Sequence, residues 1–405
     1  MAKTFAYKAK DRAGQPLTGT IVAESEAAVA AFIRDKGYYI TLIKEQRPKQ
    51  SISASFDRLK TVKTKDLAIL CWQFATMINA GMSLITSLNT LIEQTDHSKL
   101  KSALSDILKK VQEGEGLSQA MADHPNIFPT LMINMIEAGE VGGVLDEVLS
   151  RLATHYEKEH KMNEKVKSAM TYPMVVLSMA ALAVAFILTF VLPTFMKLFD
   201  SMKAELPLPT RILLMISGFM QNYWPFLIVL VGILLFSLTY AYKQPKYRIL
   251  IDPFMLQLPV FGMLTKKVAI ARFSRTFGTL LRGGVPIISA LEVVKKTTDN
   301  MVIMNSLSAA QTSIREGLGL ATPLGTSKIF TPMVIQMVAV GEETGELDKM
   351  LDKIADFYES EVDDTVSRLS SLLEPILIGG LGIIIGLIIL AIALPMFDVA
   401  THIGN

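Results

Sequence analysis

The stretch GEVGGVLDEVLSRLATHYEKE, Gly139–Glu159, returns as GEETGELDKMLDKIADFYESE, Gly341–Glu361, at an offset of 202. Without a gap, Ile127–Glu159 aligns on Ile329–Glu361, and 14 of the 33 positions are identical. A duplication of this size constrains a chain more than its composition does, because both copies must fold into the same unit. Upstream, FATMINAGMSLITSL (Phe74–Leu88) matches FGTLLRGGVPIISAL (Phe277–Leu291) at offset 203, as does EGEGL (Glu113–Leu117) against EGLGL (Glu316–Leu320). Downstream, Pro173 aligns with Pro375 and Pro193 with Pro395, so the repeat includes the apolar segment that follows each copy.

The repeated polar segments read as helix. Leu145, Val148, Leu149, Leu152 and Tyr156 fall on one helical face, with Glu147, Arg151 and Lys158 on others. The second copy repeats the face with Leu347, Met350, Leu351, Ile354 and Tyr358. Gly139 and Gly341 each follow an apolar run, where a helix needs a left-handed C-terminal residue. Glu140 and Asp146, with Glu342 and Asp348, then sit near the start of the next helix, where negative charge suits the dipole. The motif is thus expected to be a helix–turn–helix corner, with NAGMSL and RGGVPI as similar corners, and each copy a compact bundle of short antiparallel helices.

Three uncharged or nearly uncharged runs qualify as membrane spans: Met174–Leu192, Trp224–Tyr242 and Ile376–Leu394. Each approaches the ~20 apolar residues that cross ~30 Å of hydrocarbon as helix. Trp224, Tyr240 and Tyr242 are placed like interfacial anchors. Lys158, Lys161, Lys165 and Lys167 precede the first span, and Lys243, Lys246 and Arg248 follow the second. This bias predicts a cytoplasmic N-terminus, an external loop, a cytoplasmic middle domain and a short external tail. A mean hydropathy of +0.38, with 50% hydrophobic and 19% charged residues, fits soluble domains joined to a few spans.

The start of the chain differs from both copies. TFAYKA, TGTIVA and YYITLIK have strand character, and SEAAVAAFIRDKG carries a Ser cap and a closing Gly37. The expected fold class is therefore an all-α membrane protein: two homologous cytoplasmic helical bundles with three transmembrane helices, plus a small N-terminal α+β module of ββαβ order. The expected boundaries are the module at 1–45, a polar linker at 46–60, bundle repeat 1 at 61–172 and a first span at 173–193. An external loop at 194–222, a second span at 223–242, bundle repeat 2 at 260–374, a third span at 375–395 and an external tail at 396–405 complete the order.

Chemistry-bearing patterns are few. No Gly-x-x-x-x-Gly-Lys-Ser/Thr cradle occurs. His155 and His160 are five apart, a poor spacing for a shared metal on a helix, and read as surface histidines. Cys71 is the single cysteine, which excludes an intramolecular disulfide, and reads as a buried small hydrophobe. A net charge of +2 provides no global field toward nucleic acid. No catalytic residue, cofactor or metal is expected. The spans hold no Asp, Glu, Lys, Arg or His, which argues against a transporter or channel; a membrane-anchored adaptor stays open on residues alone. Gly382 and Gly386, four apart in the third span, permit close helix contact.

The FAYKAKDRAGQPLTGT start, the paired Phe-x-Thr-x-x-x-x-Gly blocks, the Gly-Glu-x-x-Gly-x-Leu-Asp repeats, the Tyr172-Pro173 and Glu374-Pro375 pairs and the three spans together resemble the type II secretion F family. The resemblance covers nearly the whole chain. It implies a multi-pass platform protein of the bacterial inner membrane, non-enzymatic, serving type IV pili or type II secretion. Implied partners are a cytoplasmic hexameric assembly ATPase, pilin or pseudopilin, other inner-membrane assembly proteins, further copies of the chain and the lipid bilayer; nucleic acid is not among them. The repeat-motif and candidate partner-contact residues are Gly139, Glu140, Gly143, Leu145 and Asp146, with Gly341, Glu342, Gly345, Leu347 and Asp348. The motif is loosest at Val141-Gly142 and Glu343-Thr344, positions that vary between the two copies.

Overall fold

The computed structural model describes residues 3–10, 16–23, 25–45, 61–195, 207–258, 261–298, 300–327 and 329–403. The linker at 46–60, residues 196–206 of the expected loop and the last two residues of the tail lie outside them. The chain divides into two compact units, one of Met1–Thr61 with Asp96–Leu100 and one of the remainder.

The first unit is built on strands β1 (Lys3–Lys10), β2 (Pro16–Ala23) and β3 (Tyr39–Glu45) with helix α1 (Glu26–Asp35) between the last two. The sheet is antiparallel in the order β2-β1-β3, and the β1–β3 register shifts between Lys8 and Ala9. Ser25 caps α1 by accepting from the Ala28 amide at 3.3 Å, and Gly37 leaves the helix with φ +76°. Phe5 and Ala9 from β1 meet Val29 and Ile33 from α1 in a small core.

The second unit is mostly helical and built twice. Repeat 1 comprises α2 (Thr64–Asn79), α3 (Leu84–Gln94), α4 (Ser98–Gln112), α5 (Leu117–Ala122), α6 (Thr130–Gly142) and α7 (Leu145–Phe186). Next come α8 (Leu208–Lys243) and α9 (Pro245–Gln257). Repeat 2 comprises α10 (Phe261–Arg282), α11 (Ile287–Thr297), α12 (Met301–Arg315), α13 (Ala321–Gly325), α14 (Pro332–Thr344) and α15 (Leu347–Ile403). In each repeat the first helix packs along the last, α2 on α7 and α10 on α15. The expected apolar face is the one buried: Val148, Leu149, Leu152 and Tyr156 in α7, and Leu347, Leu351, Ile354 and Tyr358 in α15.

The last helix of each bundle runs on without a break into its apolar segment. α7 passes Pro173 without a break and continues through a π-helical segment, Ile187–Val191. α15 passes both Pro375 and Pro395. A proline costs its helix one i→i−4 bond and a clash, yet both helices run on through theirs. The 57 residues of α15 extend about 85 Å at ~1.5 Å per residue, far more than a bilayer core. Two helices, Leu145–Phe195 and Leu347–Pro395, are long and apolar enough to cross a membrane, and two bent pairs would raise the number to four. Met174, Leu182, Phe190, Ile376, Ile383 and Leu387 leave these helices exposed as a broad apolar band, which water would penalise and lipid would not.

Residues 208–222, expected as part of an external loop, are helical and belong to α8. This helix bends by 60° between Phe226 and Val229, close after Pro225. Its first half packs beside the two long helices through side-chain donors. Ser217 Oγ donates to the Leu188 carbonyl at 2.5 Å and Gln221 Nε2 to the Thr189 carbonyl at 3.2 Å. Both acceptors lie in the π segment, whose wider turn leaves carbonyls without their ordinary helical partners. Thr210 Oγ1 donates to the Ala391 carbonyl at 2.6 Å.

Candidate functional site

Glu140 is the centre of the first corner, but not as a cap on the next helix. It lies in the last turn of α6, and its carboxylate reaches back to α5. It accepts from the Leu117 amide at 2.5 Å, the Ser118 amide at 3.0 Å and the Ser118 hydroxyl at 2.5 Å. Gly116, at the N-cap of α5, has no side chain to satisfy those amides, so a glutamate 23 residues away does it. Glu342 repeats the arrangement, accepting from the Leu320 amide at 2.5 Å and the Ala321 amide at 3.0 Å. A Cβ at Gly116 would stand 3.5 Å from the Glu140 carboxylate, and one at Gly319 would stand 3.3 Å from that of Glu342. The contact is tight at Gly319, which makes room for its acid, and ordinary at Gly116.

The left-handed residues are Gly143 (φ +67°) and Gly345 (φ +73°), not Gly139 and Gly341. The latter two are helical and serve a close crossing. A Cβ at Gly139 would meet Val148 Cγ2 at 3.0 Å, and one at Gly341 would meet the Leu347 Cα at 2.9 Å. Leu145 and Leu347 open α7 and α15, and Asp146 and Asp348 occupy the first turns. Asp146 and Asp348 thus sit where the sequence places them, whereas Glu140 and Glu342 belong to the preceding helix. What the corners leave outward is Val141, 87% exposed, and its counterpart Glu343.

A second feature escapes sequence reading: an ionic seam built within repeat 2, between α10 and α15, that lysines of α7 from repeat 1 join. Arg275 of α10 is 12% exposed and binds three carboxylates of α15. It reaches Glu359 at 2.7 Å, Asp352 at 3.2 Å and Asp356 at 2.5 Å. Burial opposes its charge, but the bonds to Glu359 and Asp356 outweigh that and hold its pKa above the ordinary value. Lys158 of α7 reaches Asp356 at 2.7 Å and Glu359 at 3.5 Å, and Lys165 pairs with Asp363. Asp356 is held below the usual carboxylate range: its burial would raise it, and Lys158 and Arg275 overcome that. Arg282 adds ion pairs to Asp348 and Asp352. The only hint in the sequence was Asp at 348, 352, 356 and 363 on α15, spaced to share one side of a helix.

His155, expected at the surface, is buried in this seam. Burial, with Arg275 nearby, pushes its pKa down to about 3, so it is neutral. Its Nδ1 lies 3.4 Å from Thr279 Oγ1, but that hydroxyl donates to the Arg275 carbonyl at 2.6 Å. The contact is therefore not a nucleophile–base pair. A cavity of about 440 Å³ opens beside it, bordered by Glu159, Asp252, Arg272 and Asn300. Burial raises the Glu159 pKa against the opposing effect of Arg272. Cys71 is buried, as expected, and its thiol pKa is raised by burial. Gly382 and Gly386 meet no other described part of the chain, since a Cβ at either has nothing within 4 Å; the close contact they permit is not made within the chain.

Two bundles that each run on into a membrane-length helix, joined by an ionic seam, define a duplicated helical membrane protein. Residues 70–193 and 273–395 each match the family described as type II secretion system (T2SS), protein F, and residues 1–44 match its N-terminal domain. The chain is 40% identical over 400 residues to the type IV pilus assembly protein PilC of Thermus thermophilus, covering 98% of each chain. It is 38% identical over 396 residues to the PilC of Myxococcus xanthus, covering 98% of this chain and 95% of that one. The type II secretion system protein F of Xanthomonas campestris is 32% identical over 403 residues, covering 99% of each chain. The chain belongs to the type II secretion system protein F family.

Proposed function

We propose that this chain is the inner-membrane platform of a type IV pilus or type II secretion machine, coupling a cytoplasmic assembly ATPase to the movement of pilin or pseudopilin out of the membrane into a filament. One observation carries the reading: α7 and α15 are continuous from each bundle into its long apolar segment. A force applied to either bundle reaches the bilayer through an unbroken helix, which is what a coupling element needs and what a passive anchor on a flexible tether lacks. The orientation that fits has the N-terminus and both bundles in the cytoplasm and three crossings, with the C-terminus outside.

The twin corners are the proposed contact surface for the ATPase, but through their outward residues. Glu140 and Glu342 hold α5 and α13, so altering them perturbs folding as well as any contact. Val141→Arg combined with Glu343→Arg changes the exposed corners alone. The expected outcome is normal accumulation in the membrane with loss of ATPase co-purification and of surface filaments. Normal filaments at normal protein level would remove the corners from the interface. Normal filaments in cells lacking the chain altogether would remove the platform reading itself.

A further inference from the structure

The two repeats do not meet through equivalent faces. Repeat 2 contributes α10, α11 and the first half of α15; repeat 1 contributes α6 and α7. The counterpart contact would place α2 and α3 against α15 and α14, and among the described residues it is not comparably made. A like-on-like pairing would use both. The pairing within the chain is head-to-tail, and a head-to-tail pairing always leaves one head and one tail unfilled.

Burial at matched positions marks the two empty faces. Arg275 is 12% exposed in the seam, while Trp72, its match in repeat 1, is 63% exposed. His155 is 5% exposed, while Phe357, its match in repeat 2, is 47% exposed. Thr279 is buried and Thr76 exposed. Away from these faces the matches agree: Cys71 and Ser274, and Tyr156 and Tyr358, are all buried. Ile69, Trp72 and Thr76 form one exposed stripe on α2. Lipid does not cover these aromatics, because Lys161 and Lys165 lie between Tyr156 and the first apolar run, and Asp363, Asp364 and Arg368 between Phe357 and the last.

We propose that a second copy of this chain fills both faces, the Phe357 side of α15 in one copy packing on the Trp72 stripe of α2 in the other, and the reverse. Lys158–Asp356 and Lys165–Asp363 share a separation of 198 residues, so α7 and α15 run parallel. The step from one repeat to the next therefore keeps both long helices pointing into one bilayer, and a second copy added by a similar step inserts its own helices the same way. The chemistry of the two joints differs: the internal one is ionic, the external one aromatic. That difference disfavours a bundle in its neighbour's place, since Trp72 brings Lys158 no carboxylate and Phe357 brings Asp356 and Glu359 no cation. Exposed Trp and Phe with an apolar neighbour are also what the centre of a protein interface needs. The inference does not depend on which machine the chain serves.

The test uses the full chain in lipid nanodiscs and in cells, in a Cys71→Ser background, since serine already occupies the matching buried position 274. Differently tagged copies carrying Trp72→Cys or Phe357→Cys are co-expressed and mildly oxidised. A disulfide joining the two tags, with 72–72 and 357–357 products absent, is the expected result. Links only between like positions, links to a different protein such as the ATPase, or no link at all would overturn it. As a second measurement, Trp72→Glu with Phe357→Glu should halve the particle mass of the protein without lowering its melting temperature, both sites being exposed. An unchanged mass would count against the proposal whatever the cross-links show.

Discussion

Glu140 and Glu342 each commit both carboxylate oxygens to a helix that is remote in sequence, and two predictions belong at this scale. Glu140→Ala leaves the Leu117 and Ser118 amides half-buried without a partner, a loss of about 1–3 kcal/mol for charged acceptors of this kind. Glu342→Ala should cost somewhat less, because Glu140 also holds the Ser118 hydroxyl. Urea denaturation of the detergent-solubilised protein reads both. His155 makes the second prediction. Its folded pKa of about 3 lies below its ordinary 6.5. As pH falls through 6.5 the unfolded chain takes up a proton that the folded one refuses, so stability is lost progressively down to about 3. Arg275 and Glu159 are the charges that face it. His155→Phe, which copies the matching residue of repeat 2, should remove this acid sensitivity and gain about 2 kcal/mol at pH 5 relative to its own effect at pH 8. Parallel pH profiles for the two proteins would refute the assignment.

At the scale of elements, what the sequence made legible was whatever repeats and whatever is periodic. The stripe Val148, Leu149, Leu152, Tyr156 and the apolar runs were readable because burial imposes a 3.6-residue period. The corner was readable as a corner, but its glycines were assigned one helical turn too early. Four residues separate Gly139 from Gly143, both are glycine in each copy, and pattern alone does not say which has positive φ. The partner of Glu140 was hidden because a cap supplied from 23 residues away has no local signature, although the co-occurrence of EGEGL with GEVGG in both copies was the available clue. The ionic seam was hidden for a similar reason: Arg275 and Asp352 are 77 residues apart. That seam yields a prediction. Arg275→Met leaves Asp352, Asp356 and Glu359 facing one another half-buried, and should destabilise the second unit by roughly 3–5 kcal/mol at pH 7. Asp356 is held ionised by Arg275 and Lys158, so the wild-type contribution is present above the ordinary carboxylate pKa and fades as pH falls. The difference between Arg275→Met and wild type should therefore shrink toward pH 4, and a difference that grows there would contradict the seam.

For the whole molecule, the duplication explains why a helix longer than any bilayer occurs twice and why the intervening α8 must exist. α7 and α15 are parallel, so in the proposed orientation, with both bundles on one side, the chain returns across the membrane between them. α8 lies wholly between the repeats, and its two halves, Leu208–Phe226 and Val229–Ala241, are together long and apolar enough to cross. Its first half leans on the π segment of the first span and on Ala391 of the last, where Ser217, Gln221 and Thr210 find carbonyl partners. The proposed three crossings make a prediction: a reporter fused at Lys266 should read as cytoplasmic and one after Asn405 as external. Were the first half of α8 a separate full crossing, the count would become even and the two reporters would exchange sides, Lys266 external and Asn405 cytoplasmic. A cytoplasmic readout after Asn405, with the Lys266 fusion also cytoplasmic, would show that the last long helix does not cross, and the parallel-bundle argument would fall with it.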